Sequence, residues 1–284
     1  MKKENGYFST AVIDADYILW IACNKSKIYN ENSEALKDEK GNFVYKDKTI
    51  EEVTDTCDSY INDLLHVCGA DSYIFCLTAP GNFRYKVDEN YKANRKGAEK
   101  PMWFKEAKNH LIEKWGAIEC KGLEADDMVN IIVNSLENSF IVAVDKDLIT
   151  CLPGRHFDAR KGQAQFVTVT ESQANFAFSR SLLTGDSIDG VPNIKRGYGP
   201  KTAEKELLAS TDTSLEDTVL SIYTREFGEE GKIKFDKQKK LLKILSSLEE
   251  VPEGVTFAIP EPYCYDCVET TFSQEQYRLE LLKY

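Results

Sequence analysis

Short apolar runs alternate with helix-period segments along the first half of the chain. Ala11-Val12-Ile13 and Phe140-Ile141-Val142-Ala143-Val144 are unbroken apolar stretches, the pattern of parallel strands buried on both faces. Strands are therefore predicted over 10–14, Ser72–Leu77 and 139–144. Between them, Ile50, Val53, Cys57, Ile61, Leu64 and Leu65 fall at helical spacing and predict a helix over 50–68. Further helices are predicted at Tyr17–Cys23, 102–115, 125–136 and just after Asp147. Pro80-Gly81 marks a loop, and the polar, Asn/Lys/Glu-rich residues 24–48 mark a surface insertion. From about residue 171 the pattern is mainly helical. This βα succession predicts an α/β fold with a mostly parallel central sheet, flanking helices and a helical C-terminal region. No repeat or low-complexity linker divides the chain, so that region is expected to sit directly on the core.

The predicted strand ends carry the chemistry. Nine carboxylates fall in four short clusters: Asp14 and Asp16; Glu124, Asp126 and Asp127; Asp145 and Asp147; Asp186 and Asp189. Two clusters directly follow the apolar runs. In open α/β sheets the carboxyl ends of the strands converge on one ligand-binding crevice. Oxygen ligands gathered there suit hard divalent cations, Mg²⁺ or Mn²⁺. Without a cation, such crowding would force some of the carboxylates to protonate. A single Asp pair reads as readily as a loop or helix cap, but four clusters repeating one placement favour metal binding.

Composition narrows the class. The 284 residues suffice for one large domain or two closely packed ones, and 42% apolar with 29% charged residues argues against wholesale disorder. No apolar run reaches membrane-spanning length and MKKENGYF lacks a signal peptide's apolar stretch, so a cytoplasmic protein without membrane contact is expected. Cys23, Cys57, Cys68, Cys76, Cys120 and Cys151 are scattered like buried reduced thiols. Cys264-Tyr265-Asp266-Cys267 is a lone CxxC without a second pair, and His66, His110 and His156 lack zinc-ligand spacing.

The net charge of −11 argues against a nucleic-acid partner until its distribution is considered. Residues 31–63 hold ten acidic and four basic side chains, whereas Lys92, Arg95, Lys96, Lys100 and Lys105 face only Glu99 across 91–105. Six lysines face one acid, Asp236, across 232–243. Basic patches set apart from an acidic pocket suit a polyanion held beside a metal site, though each alone reads equally as a solvated face. Within Asn90-Tyr91-Lys92-Ala93-Asn94-Arg95-Lys96, Lys92 and Arg95 would share one face if helical, offering a point charge and a bidentate fork to phosphate. Gly197-Tyr198-Gly199-Pro200-Lys201-Thr202-Ala203 is a glycine-rich turn opening a helix, which presents backbone N–H groups to phosphate. Trp103 and Phe104, beside the basic run, fit helix-core packing better than base stacking.

In this order Asp14, NYKANRK, EADDM, VDKDL and GDSIDGVPNI with GYGPKTA resemble the flap endonuclease/5′→3′ exonuclease superfamily, which includes the 5′-nuclease domains of bacterial DNA polymerase I. The 5′→3′ exonucleases of T-odd bacteriophages share the Asp-x-Asp opening, the N-Y-K-A-N-R-K string and the D-K-D cluster. The resemblance covers residues 10–205, about two-thirds of the chain. It implies a PIN-like 5′-nuclease core over 1–178 with a helical arch at about 83–110. It also implies a helical region over 179–284 with a helix-hairpin-helix-like DNA clamp at about 185–210. Two Mg²⁺ or Mn²⁺ ions are implied: Asp14, Glu124 and Asp126 for the first, and Asp145, Asp147 and Asp186 for the second. Asp127 and Asp189 would act through water. Lys92 and Arg95 would be catalytic at the scissile phosphate. Tyr91, Lys96, Gly197, Gly199, Lys201 and Thr202 would contact DNA, with K⁺ at the turn. The implied substrates are 5′ ends or flaps of duplex DNA and RNA–DNA hybrids, with replication proteins as partners.

One position departs from that pattern. Many relatives end the strand at Ser72–Leu77 with a metal-binding Asp, where this chain reads Leu77-Thr78-Ala79. Asp16 or a water on Thr78 would compensate, although Asp16 reads equally as the N-cap of a helix beginning at Tyr17. Two other functions compete: an RNA-directed nuclease, which needs neither arch nor clamp, and a DNA-end-binding replication accessory with a decayed metal site.

Overall fold

The computed structural model describes residues 9–31, 33–95, 97–210 and 213–265. The apolar run at the start becomes strand β1 (Thr10–Asp14), buried along its whole length, and feeds helix α1 (Asp16–Cys23). The insertion folds as a hairpin of β2 (Ser26–Lys27) and β3 (Tyr45–Lys46), extended by bridges at Tyr29–Ala35 and Lys37–Phe43. Helix α2 (Ile50–Cys68) opens on a capping box, Thr49 with Glu52, and closes at left-handed Gly69. Strand β4 (Ser72–Asn82) outruns its prediction: it passes through Pro80-Gly81, where its register against the next strand shifts.

Over 83–110, where the resemblance implied an arch, the described residues are helical only in part. They form the single turn α3 (Arg84–Val87) and one 3₁₀ turn, Ala93–Arg95, before α4 (Phe104–Trp115). Lys92 and Trp103 adopt positive φ, 53° and 66°, and Pro101 lies between them, so no continuous helix can form. Strand β5 (Ile118–Gly122), helix α5 (Ala125–Ser135), strand β6 (Ser139–Ala143) and helix α6 (Lys146–Thr150) follow. The hairpin β7 (Gly154–Asp158) and β8 (Gln165–Val169) leads to α7 (Glu171–Thr184), α8 (Pro200–Leu208), α9 (Leu215–Phe227) and α10 (Gly231–Leu242). Strand β9 (Tyr263–Cys264) comes last.

The sheet runs β5-β4-β1-β6-β7-β8, parallel except for β8, with β9 antiparallel against the start of β4. The predicted α/β class with a mostly parallel sheet and a helical C-terminal region is therefore present. Alternation along β1 sends Ala11 and Ile13 into the apolar layer with α1, α2 and α4, and Val12 into the layer with α5 and α6. A third apolar cluster, with Leu183, Tyr198, Val219 and Phe235, belongs to α7–α10. Among the described residues no helix is long and apolar enough to cross a membrane.

The chain leaves β1 for β4 and β5 on one side, then returns through α5 to β6 on the other. The strand order thus reverses at β1, which places a crevice at the carboxyl ends of β1 and β6.

Candidate functional site

Eight of the nine clustered carboxylates line one cavity of about 490 Å³ at that crevice: Asp14, Asp16, Glu124, Asp126, Asp145, Asp147, Asp186 and Asp189. Asp14 ends β1 and is buried, its Oδ1 accepting the Asp16 amide at 3.1 Å. Asp145 caps α6, accepting the Asp147 amide at 2.7 Å. Glu124 and Asp126 begin α5, which crosses between the two halves of the sheet. Asp186 and Asp189 come from the α7–α8 loop, folded back by the Asp186–Val191 bridge. Gly185, at φ 65°, makes that fold possible: a Cβ there would lie 2.4 Å from the carbonyl oxygens of Val191 and Pro192.

Crowding shows in the acidities. Burial, then the neighbouring Asp16, holds the Asp14 carboxyl well above the ordinary carboxylate range. Burial, then Asp14 and Asp145, does the same to Asp126. Asp147 is pushed up to about 6 by burial and by Asp145. As the side chains stand, no group of three His, Cys, Asp or Glu among the described residues is gathered tightly enough to hold a metal ion. Mutual repulsion keeps the carboxylates apart, and the Lys92 ammonium lies between Glu124 and Asp189, pairing with the first and standing 3.5 Å from the second.

Lys92 and Arg95 both reach Asp189, but from consecutive turns rather than one helix face. Their segment is tied to the Asp186–Asp189 loop. The Lys92 amide donates to Asp189 O at 2.8 Å, and Asn94 Nδ2 donates to the carbonyls of Ser187 and Ile188. Tyr91 is not a surface DNA contact: it is 3% exposed, and its hydroxyl lies 3.0 Å from Glu124 and 2.8 Å from Asp189, where it orders the carboxylates. Lys96 lies outside the described residues.

Asp127 is not a metal ligand in this arrangement. It is 0% exposed, and both its oxygens accept hydrogen bonds from the buried Arg84, at 2.7 and 2.8 Å. Arg84 also reaches Glu124 at 3.2 Å and donates to the carbonyls of Leu241 and Lys243 at the end of α10. Asn82 supports the same Glu124 at 2.9 Å. Sequence reasoning missed both residues, because neither belongs to a motif.

Asp16 is not a helix cap. It is the first residue of α1, whose cap is Ala15, and its Oδ1 accepts the Thr78 amide at 3.1 Å. Thr78 in turn accepts the Ala125 amide on its hydroxyl at 3.0 Å, so this position joins β4, α1 and α5.

Gly197 has φ 80°, Gly199 precedes α8, and Pro200 occupies its first turn; the space beyond both glycines is open, and Lys201 and Thr202 are exposed. The lysines of α10 are less available than their number suggests: Lys232, Lys234, Lys237, Lys239 and Lys243 pair with Asp236, Glu230, Asp88, Glu216 and Glu250. Trp103 and Phe104 pack on the core, Trp103 also donating to Lys48 O at 2.9 Å. His156 is buried on the Leu152 carbonyl and His110 contacts Asp58. Cys264 is an exposed free thiol, and Cys267 lies outside the described residues.

No protein-family model matches the chain. The exonuclease of Escherichia phage T7 is 32% identical over 139 residues, 46% of this chain and 45% of that one. The exodeoxyribonuclease of Enterobacteria phage T3 is 31% identical over the same length. The matched stretch thus spans under half the length of these relatives. A phage T5 5′-exonuclease shares the fold with a TM-score of 0.54 at 13% identity, covering 98% of this chain and 99% of that one. A phage T5 flap endonuclease solved with DNA and metal ions gives a TM-score of 0.53 at 14% identity, covering 97% and 98%. Part of the sequence is therefore similar to two phage exonucleases, and the fold is shared with the phage T5 nucleases.

Proposed function

We propose that this protein is a metal-dependent 5′→3′ exonuclease that hydrolyses phosphodiester bonds from the 5′ ends of duplex DNA. It would also act on 5′ flaps and on the RNA of RNA–DNA hybrids. The observation that carries this reading is the single cavity walled by eight carboxylates and faced by Lys92 and Arg95. A site that makes its carboxyls weaker acids than usual, so that they retain protons, is suited to exchange those protons for hard cations. Asp14, Glu124 and Asp126, with Asp16 beside them, would hold one divalent ion, Mg²⁺ or Mn²⁺. Asp145, Asp147 and Asp186 would hold a second, with Asp189 acting through water. Such a pair of ions supplies an activated water and stabilises the departing 3′ oxygen.

The chain's own residues do the rest. Lys92, released from Glu124, and Arg95 offer their charge to the scissile phosphate. Tyr91, Asn82 and Arg84 keep Glu124 oriented. The N-terminus of α8 with Gly197, Gly199, Lys201 and Thr202 presents amides and charge to the duplex backbone, with K⁺ as a fitting companion ion. Replication proteins are the fitting partners of such an activity. The test incubates the protein with 5′-labelled duplex, flap, hybrid and single-stranded RNA substrates, with Mg²⁺ or EDTA. Mg²⁺-dependent release from the 5′ end is expected. Binding without cleavage would favour the accessory module, and cleavage confined to single-stranded RNA the RNA-directed nuclease.

The acidities give a second test. Asp147 titrates near 6 in the fold against an ordinary 3.8, and Asp14 and Asp126 are raised too. Between these limits the folded site keeps protons that the unfolded chain has released. The contribution of Asp147 to stability is therefore full below about pH 4 and is lost as pH rises through about 6, and Asp14 and Asp126 act in the same direction. A bound divalent ion removes that loss. The Mg²⁺-induced rise in Tm should be small near pH 4 and grow through pH 6. An increment that stays flat with pH would place the ion elsewhere.

A further inference from the structure

Arg160 also lines the carboxylate cavity, yet none of the motifs above includes it. It follows β7, on the β6 side of β1, whereas the Lys92–Arg95 segment follows in the chain from β4, which lies on the other side of β1. Its guanidinium is held by Asp158, a carboxylate 1% exposed at the end of β7. Nε donates to Asp158 Oδ1 at 2.9 Å and Nη2 to Oδ2 at 2.5 Å, while the Arg160 amide donates to Oδ1 at 3.1 Å. Nη2 also lies 3.4 Å from Gln163 Oε1. Among the described residues, Nη1 has no protein partner, and the side chain remains 39% exposed. A buried carboxylate thus orients the guanidinium and leaves Nη1 without a hydrogen bond beside the cavity, where Asp145 acts on it electrostatically. Nη1 can donate to a phosphate oxygen, and orientation by a buried partner reduces the ordering cost on binding.

We propose that Arg160 binds a backbone phosphate of the cleaved strand, adjoining the one served by Lys92 and Arg95, and so fixes the strand from the other side of the cavity. This rests on the nuclease reading above. The ligand is a phosphodiester: a cation beside the cavity where the strand would lie attracts the backbone anion first, and among the described residues no aromatic ring that could stack a base contacts Arg160. Asp158 is the positioning residue: it sets the angle of the fork without touching DNA.

The experiment compares wild type with Arg160→Ala, Arg160→Lys and the double variant Asp158→Asn with Arg160→Gln. The double variant removes the cation without leaving a lone buried carboxylate, so it covers the case in which Arg160→Ala fails to fold. Duplex binding is measured over a salt series with Ca²⁺ in place of Mg²⁺, and KM and kcat are measured with Mg²⁺. The double variant should raise KM about tenfold with kcat within about threefold, and lower the log–log salt slope by about one unit. Arg160→Lys should restore the slope but not the full KM, since an ammonium replaces the charge and not the fork. Unchanged KM and slope in the double variant would overturn the proposal and leave Arg160 as a partner for Asp158 only. A changed Mg²⁺ requirement with unchanged KM would overturn it too, assigning Arg160 to the carboxylate cage. Wild type that binds duplex with an Arg160-dependent slope but never cleaves would instead defeat the nuclease reading alone.

Discussion

Asp145→Asn and, separately, Asp186→Asn will reduce cleavage by about a hundredfold or more while leaving duplex binding within a few-fold of wild type. Each substitution removes a charge from the cavity and little else. Asp145 accepts the Asp147 amide to begin α6, and asparagine caps helices nearly as well. Asp186 uses Oδ1 to accept the Ile188 amide, a bond that asparagine's carbonyl oxygen also makes. The grip on DNA, by contrast, should come from cations and backbone amides. Asp145 also helps to raise Asp14, Asp126 and Asp147, so Asp145→Asn should slightly raise the Tm of metal-free protein near neutral pH and diminish the rise produced by Mg²⁺. Single-turnover cleavage and melting curves with and without Mg²⁺ decide the matter. Near wild-type turnover in either variant would remove that residue from the catalytic site.

Arg84→Met will destabilise the fold by about 3–5 kcal/mol, a large share of the roughly 5–15 kcal/mol that holds a typical domain together. The Arg84 side chain matches methionine in reach but not in bonding. It satisfies both oxygens of the fully buried Asp127, reaches Glu124, and donates to two carbonyls at the end of α10. Removing it leaves the buried Asp127 charge with two backbone amides but without its counter-ion. Arg84→Lys should recover only part of the loss, because an ammonium cannot form the two-pronged contact with Asp127. Adding Asp127→Asn to Arg84→Met should cost far less than the sum of the single changes. Urea melts measure each value, and a loss under about 1 kcal/mol for Arg84→Met would mean that the cluster is not structurally essential.

Arg84 also shows why part of the site was illegible in the sequence. The apolar runs at β1 and β6, and the carboxylates that follow them, are local patterns, and they located the crevice. The helix at 50–68 was legible because its spacing and its left-handed stop at Gly69 are local too. Strand β5 was not, since IECKG alternates over only five residues and buries one of them, Cys120, too short a pattern to stand out between its neighbours. Nothing near Arg84 in the sequence reveals Asp127, Leu241 or Lys243 as its partners. The lysines of 232–243 misled for a similar reason: Asp88, Glu216 and Glu250, which pair with three of them, are not their sequence neighbours in the helix. Tyr91 is expected from its motif to contact DNA, and its burial against Val191 and Leu241, far along the chain, is not legible there.

The distances along the chain that hid these contacts also set an order of assembly. Arg84 waits for carbonyls 157 and 159 residues downstream, Asp127 for the Leu245 amide 118 residues on, and Asn130 for the Leu245 carbonyl 115 residues on. At roughly 5–20 residues per second, a ribosome needs on the order of ten to thirty seconds to carry synthesis from Arg84 to Lys243. Well before that interval ends every motif carboxylate from Asp14 to Asp189 has been synthesised, yet Glu124 lacks the fully anchored arginine that orients it. The nascent chain therefore holds the acidic residues of the site without its finished geometry, and the cavity matures only when the last turn of α10 docks.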